Sequence, residues 1–173
     1  MFEEIKYNKY LDKAIEQLAK GAFMTTKVNN KVNTMTISWG SIGIVWNKPT
    51  FIAYVRFTRD TYQMIEQADE FTISIPFTDD LKDELIFCGT KSGRDYDKIK
   101  ECNFSLTEGI TSNTPIINEC DLHYECKVIY KQTMEPGMVP QVVKDRYYSK
   151  NNYHMIYYGE ITNTYIKKEN NDE

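Results

Sequence analysis

The sequence predicts a mainly β domain of the α+β class, an antiparallel barrel flanked by a few helices. Three observations lead there. Short runs of β-branched and aromatic residues recur between turn-forming residues, helical spacing is confined to brief stretches, and no regular strand–helix alternation marks a doubly wound parallel sheet. The 173 residues, 41% of them hydrophobic, suffice for one sizeable core and leave no room for a second cofactor domain of ordinary size. We therefore expect one domain over residues 1–166 and a solvated polar tail, KKENNDE, over residues 167–173. Closing the barrel would remove the exposed strand edges.

Each element follows from local pattern. Leu11, Ile15 and Leu18 stand at helical spacing within residues 10–20, with Gly21 as a stop, so a short amphipathic helix covers one end of the barrel. Residues 23–28 and 32–38 flank Asn29-Asn30, a pair that tolerates positive φ, and form a hairpin. Residues 42–45 and 51–55 are strands joined by a turn at Asn47-Lys48-Pro49. Tyr62, Ile65 and Ala68 then repeat at helical spacing. Residues 71–75 alternate cleanly as a strand ended by Pro76, and Thr78-Asp79-Asp80 opens a helix reaching about Cys88 and ending at Gly89. Residues 95–101 hold a further turn or two of helix. Residues 113–117 are turn-rich and 122–132 a strand. Residues 134–150, with Pro136, Gly137 and Pro140, form a long surface loop before a final strand over 153–166.

A net charge of −4 argues against a general nucleic-acid binder, which would need a basic face. No apolar run is long enough to span a bilayer and the charged start MFEEIKYNKY is no signal-peptide core, so a cytoplasmic location is expected. The four cysteines at 88, 102, 120 and 126 then read as reduced thiols. Cys120, His123 and Cys126 are spaced to suggest a metal. Strand alternation places Cys120, Leu122, Tyr124, Cys126, Val128 and Tyr130 on one face and His123 on the other, and no fourth ligand is evident, so no metal is expected. Cys88 is read as packing, with a redox thiol as the alternative. His154 is read as a structural histidine satisfied by a backbone carbonyl, and Glu160 as a barrel-edge carboxylate. Neither a G-x-G-x-x-G after a strand nor a Walker A segment occurs, which excludes Rossmann and P-loop modes of nucleotide binding.

The most informative stretch is NTMTISWGSIGIVWNKPTFIAYVRFTRDTY, residues 33–62. It runs from a strand into Arg56-Phe57-Thr58-Arg59-Asp60-Thr61, where a helix begins. A helix start offers unpaired N–H groups and the positive end of the dipole, so an anion is favoured there. Arg56 and Arg59 would add charge-assisted bonds and Thr58 and Thr61 hydroxyl donors. The alternative is that Asp60 or Thr58 only caps the helix and the arginines are solvated, and Asp60 itself repels phosphate.

Residues Asn33-Thr34-Met35-Thr36-Ile37-Ser38-Trp39, then Pro49, Arg56 and Thr61, resemble the flavin reductase-like family with the FMN-binding split-barrel fold, including its flavoredoxin-like branch. Gly89-Thr90-Lys91-Ser92-Gly93-Arg94-Asp95-Tyr96-Asp97-Lys98 is similar to that family's Gly-x-x-Ser-Gly-Arg-Asp-x-Asp-Lys segment, and Gly159-Glu160-Ile161 to its closing strand. The resemblance implies a homodimer with FMN along the barrel. Asn33, Met35, Thr36, Ser38 and Trp39 would line the flavin and Arg56, Thr58, Arg59 and Thr61 the phosphate. Lys91, Ser92 and Arg94 would contact FMN or an incoming nicotinamide phosphate, with Gly93 allowing close approach. An ordinary polar loop in which Arg94 pairs with Asp95 or Asp97 is the alternative there. The implied activity passes electrons from a reduced nicotinamide nucleotide to flavin or to an acceptor protein, with no catalytic side chain required. A non-catalytic FMN carrier or sensor, and a barrel without flavin, are the other readings.

Overall fold

The computed structural model describes residues 1–168; the tail expected beyond Lys168 lies outside them. The chain runs β1 (Phe2–Glu4), α1 (Leu11–Lys20), β2 (Ala22–Val28), β3 (Lys31–Ile37), β4 (Gly40–Val45), β5 (Lys48–Arg56), α2 (Asp60–Ala68), β6 (Glu70–Ile75), α3 (Lys82–Thr90), α4 (Lys98–Glu101), β7 (Leu106–Thr107), β8 (Ile116–Ile117), β9 (Leu122–Thr133), α5 (Gln141–Tyr147) and β10 (His154–Lys167). One antiparallel sheet has the order β3-β2-β6-β9-β10-β5-β4, with β1 added to the far end of β10, and β7 pairs with β8 apart from it. This is the mainly antiparallel split-barrel architecture that the sequence predicts.

The expected closure is not complete. β3 and β4 follow each other in the chain but stand at opposite ends of the strand order, and no ladder joins them. Helices cover the edges instead. On β3, the Thr34 carbonyl accepts from Lys98 Nζ of α4 and the Thr36 hydroxyl donates to the Leu85 carbonyl of α3. The opening between β3 and β5 is where the site lies.

Alternation builds two cores from β2. Met24 faces the barrel interior with Ile37, Phe51, Val55, Phe71, Ile73, Tyr124 and Tyr157, while Phe23 faces a satellite cluster of Leu85, Cys88, Phe104, Ile117 and Cys120 under α3. Burying a strand on both faces leaves little freedom in register, which fixes β3 beside it.

Several boundaries differ from expectation for identifiable reasons. The β4–β5 turn is Trp46-Asn47, both at positive φ as a type I′ hairpin requires, and Lys48 and Pro49 belong to β5. The second expected helix opens as a 3₁₀ turn over Asp79–Leu81, then continues as α3 past Gly89. A Cβ on Gly89 would sit 3.3 Å from Thr36 Cβ, so glycine lets α3 lie close on β3. The turn-rich 113–117 stretch ends in β8, and the surface loop expected over 134–150 contains α5. Cys120 precedes β9 and packs in the satellite cluster, apart from Cys126 in the barrel core. A bulge opposite Tyr158 and Gly159, with Ile129 as the extra residue, turns Tyr130 outward against Trp46 and Tyr158. Lys167, assigned to the tail, pairs with Phe2 and donates to the Asn118 carbonyl.

Candidate functional site

Two adjoining depressions form one groove along the barrel opening. The first, about 120 Å³, is walled by Met35, Thr36, Ile37, Ser38 and Trp39 at the end of β3, Tyr54 and Arg56 of β5, Arg59, and His154 at the start of β10. The second, about 160 Å³, shares Met35, Arg56 and Arg59 and adds Thr58, Asp60 and Thr61 at the start of α2, Thr90 at the end of α3 with Lys91, Ser92 and Gly93 after it, Lys98 and Asn152. Ten of the twelve predicted site residues therefore line the groove. Asn33 and Arg94 stand behind its wall, in a neighbouring depression of about 410 Å³. Each still touches a groove residue: Asn33 Nδ2 donates to Thr61 Oγ1 at 3.0 Å, and Arg94 Nη2 to the Thr58 carbonyl at 2.6 Å.

The anion half concentrates positive charge without matching negative charge. Arg59 is the N-cap of α2, and its guanidinium has neither a hydrogen-bond acceptor nor a carboxylate partner among the described residues. Burial, then the Arg56 guanidinium, lowers its pKa. Lys98 is 3% exposed, and its ammonium donates to the carbonyls of Thr34 at 2.9 Å and Cys88 at 3.0 Å. With no carboxylate in contact, burial lowers its pKa as well. Lys91 Nζ lies 5.5 Å from the Tyr96 ring centroid and has no carboxylate partner among the described residues. Asp60, expected to repel a phosphate, is buried, and its Oδ2 accepts from Lys31 Nζ at 2.8 Å, so its charge is balanced from outside the groove. Neither Asp60 nor Thr58 caps α2 with its side chain. Gly93 lies so close to Asn33 and Asp60 that a Cβ would fall 2.3 Å from Asn33 Oδ1. Its missing side chain therefore serves this internal contact.

Arg56 behaves differently from Arg59. Its Nη1 donates to the Asn152 carbonyl and its Nη2 to the Tyr147 carbonyl, and its guanidinium lies 5.2 Å from the Tyr148 ring centroid and 5.8 Å from that of Trp39. Asn152 also donates to the Thr58 hydroxyl at 2.9 Å. Arg56 thus ties the end of α5 and the segment after it to the groove wall, where Tyr147 and Tyr148 pack edgewise on Trp39 without lining the groove themselves. Arg94 bonds to the Thr58 carbonyl rather than pairing with Asp95 or Asp97.

In the ring half, the Thr36 hydroxyl is committed as a donor to the Leu85 carbonyl, so toward the groove it has only lone pairs to offer. His154 Nδ1 lies 3.0 Å from the Tyr148 hydroxyl, in place of the expected backbone carbonyl. Burial, with Arg56 and Arg59 nearby, pushes His154 down to about 4, so its ring is neutral near neutral pH. Away from the groove, the fully buried His123 contacts Ser74 Oγ and the Cys120 carbonyl through its two nitrogens, and Glu160 pairs with Lys48. Tyr54, Lys98 and Asn152 line the groove and are not among the predicted site residues; Tyr147 and Tyr148, also not predicted, support Trp39 from behind it. Only Lys98, closing the Asp-x-Asp-Lys run, carried a sequence signal. The groove suits a flat aromatic body joined to an anionic group.

Residues 19–173 match the flavin reductase like domain family. An uncharacterized protein of Archaeoglobus fulgidus is 28% identical over 99 residues, 57% of this chain and 55% of that relative, so the aligned part spans little more than half of the relative's length. Among solved structures, flavoredoxin from Methanosarcina acetivorans is 25% identical, with 86% of this chain and 68% of that one covered at a TM-score of 0.66. An FMN-binding domain of a flavin reductases-like enzyme from Shewanella baltica OS155 is 18% identical, covering 96% and 77% at 0.68. Flavoredoxin of Desulfovibrio vulgaris (Miyazaki F) is 21% identical, covering 86% and 69% at 0.68. Among the described residues no helix is long and apolar enough to cross a membrane.

Proposed function

Since this chain belongs to the flavin reductase like family, we propose that it is an FMN-binding oxidoreductase that takes electrons from a reduced nicotinamide nucleotide. The acceptor is free flavin or a partner protein. One observation carries the reading: two cations without carboxylate partners, Arg59 and the buried Lys98, meet at the start of α2 beside an aromatic cleft. Burying a charge without compensation is costly, and a phosphate seated there would supply the missing partner.

In this reading Arg59, Lys98, Lys91 and the first N–H groups of α2 hold the phosphate, with Thr61 and Ser92 beside them. Met35, Ser38 and Trp39 face the ring system through backbone and side-chain contacts, and Thr36 accepts from it. The bound flavin supplies the two-electron chemistry. The protein would orient it along the end of β3 beside Trp39, Tyr54 and His154 and keep water from its inner face. His154 presents a neutral imidazole there, held by Tyr148. The homodimer and the cytoplasmic location belong to the same reading. The exposed Trp46 and Tyr130, packed with Tyr158 on the outer sheet face, give a second copy an apolar surface.

The test is the visible absorption spectrum of the purified protein, identification of the chromophore released on denaturation, and steady-state oxidation of NADH and NADPH with added flavin. FMN released in one-to-one ratio together with turnover supports the proposal. Stoichiometric FMN that neither nucleotide reduces points to a carrier or sensor, and a colourless protein that takes up no added FMN removes the flavin reading.

A further inference from the structure

Two of the four thiols stand in contact across the base of the phosphate half. Cys88 Sγ on α3 lies 3.8 Å from Cys102 Sγ, the residue that ends α4. Cys88 is fully buried while Cys102 is partly exposed, so a solution oxidant reaches Cys102 first. Cys120 belongs to the same satellite cluster, Cys126 to the barrel core, and neither makes a thiol contact among the described residues. A disulfide needs an S–S distance of about 2.05 Å, so the two sulfurs must close by about 1.8 Å, within the reach of small rotations of side chains and helix ends.

We propose that Cys88 and Cys102 are a reversible oxidative modification site whose disulfide stiffens the phosphate half of the groove. The ring that it closes contains the whole of Thr90, Lys91, Ser92, Gly93, Arg94 and Lys98. It also fastens the Cys88 carbonyl, which accepts from Lys98 Nζ at 3.0 Å, to the last turn of α4, which carries Lys98. The oxidant is a hydroperoxide, and the steps balance. Cys102–SH and H₂O₂ give Cys102–SOH and water. The Cys88 sulfur then attacks the Cys102 sulfur, the S–S bond forms as the S–O bond breaks, and the hydroxyl leaves with the Cys88 proton as water. Burial, the first cause for both, raises the two thiols, which makes the first step slow and suits a response to sustained exposure.

The test treats the full chain with hydrogen peroxide, counts thiols in denaturant, maps the peptides by mass, and follows amide hydrogen exchange over residues 89–101. We expect two of the four thiols lost, one intramolecular Cys88–Cys102 peptide pair lighter by two hydrogens, slower exchange in that segment, and full reversal by dithiothreitol. The Cys88→Ser variant should accumulate a dimedone-trapped Cys102 sulfenic acid, and Cys102→Ser should keep its three remaining thiols. Four surviving thiols, sulfinic acid on Cys102, an intermolecular link, or unchanged exchange in the cross-linked form would each overturn the proposal. Its consequence for FMN rests on the reading above: the oxidised form should bind FMN about threefold or more tightly. Failure of both redox forms to bind FMN, with exchange still slowed, would sink the flavin reading and sustain the thiol pair.

Discussion

Arg56 and Arg59 stand three residues apart on the same groove, yet the geometry gives them separable jobs, and comparing FMN with riboflavin isolates each. The two flavins share a ring system and differ by the phosphate. The Arg59 side chain has no partner among the described residues and lies at the N-terminus of α2, so Arg59→Ala should cost the charge-assisted bonds to the phosphate and little else. Such bonds contribute about 1.5–3 kcal/mol, which corresponds to roughly a 10- to 150-fold loss in FMN affinity at about 1.4 kcal/mol per tenfold. Riboflavin binding should barely change. Arg56→Ala removes donors to the Asn152 and Tyr147 carbonyls and loosens the support that Tyr147 gives to Trp39, a groove residue that would face the ring of either flavin. It should weaken both by a similar factor and leave their ratio intact. Titration of apoprotein by quenching of flavin fluorescence at about 0.1 M salt, where surface charges more than about 10 Å away are screened, gives both affinities. A collapsed FMN-to-riboflavin ratio in Arg56→Ala, with the ratio preserved in Arg59→Ala, would refute the assignment.

Three further outcomes follow from the same structure. Lys98→Met should strip the Thr34 and Cys88 carbonyls of their donor, lowering the unfolding free energy by about 1–3 kcal/mol in a urea titration, and weaken FMN binding while sparing riboflavin. Gly93→Ala should drive a Cβ into Asn33 and Asp60, disturbing the Asn33–Thr61 and Lys31–Asp60 contacts together, with a loss of about 1–3 kcal/mol visible as a lower thermal midpoint and poorer FMN uptake. Both histidines have folded pKa values depressed below the ordinary 6.5, to about 4 for His154 and about 3 for His123. Between pH 6.5 and 4 the unfolded chain binds protons that the folded chain does not, so stability is full above pH 6.5 and falls as pH drops, by about 1.4 kcal/mol per unit per histidine. His154→Gln should halve the slope contributed by this pair in urea midpoints measured across that window.

How much of this was legible in the sequence depended on the range over which each signal acts. Asn29-Asn30 fixed a hairpin because turn chemistry is local, and residues 10–20 gave their helix because the stripe and its stop lie within one element. The Trp46-Asn47 turn was misplaced by one residue because Pro49 is the more conspicuous turn former, although proline is equally at home at the start of a strand beyond the β10 pairing. α5 was hidden by the prolines and glycine that precede it.

The site shows the same division more sharply. Its twelve predicted residues come from three segments that the sequence displays as contiguous motifs, and those segments do converge. The partner of each charge, however, is set across the fold. Asp60 was read as repelling a phosphate because Lys31, 29 residues earlier on β3, has no sequence mark as its counterion. For Arg56, a phosphate ligand on the sequence reading, nothing near it in the chain reveals that one donor of each terminal nitrogen goes to the carbonyls of Tyr147 and Asn152, more than 90 residues on. A motif can thus state which residue types meet at a site. How much of each cation is left for a ligand is decided by what the rest of the fold has already paired: among the described residues the Arg59 guanidinium has no acceptor, while Arg56 and Lys98 each give part of their donors to two carbonyls.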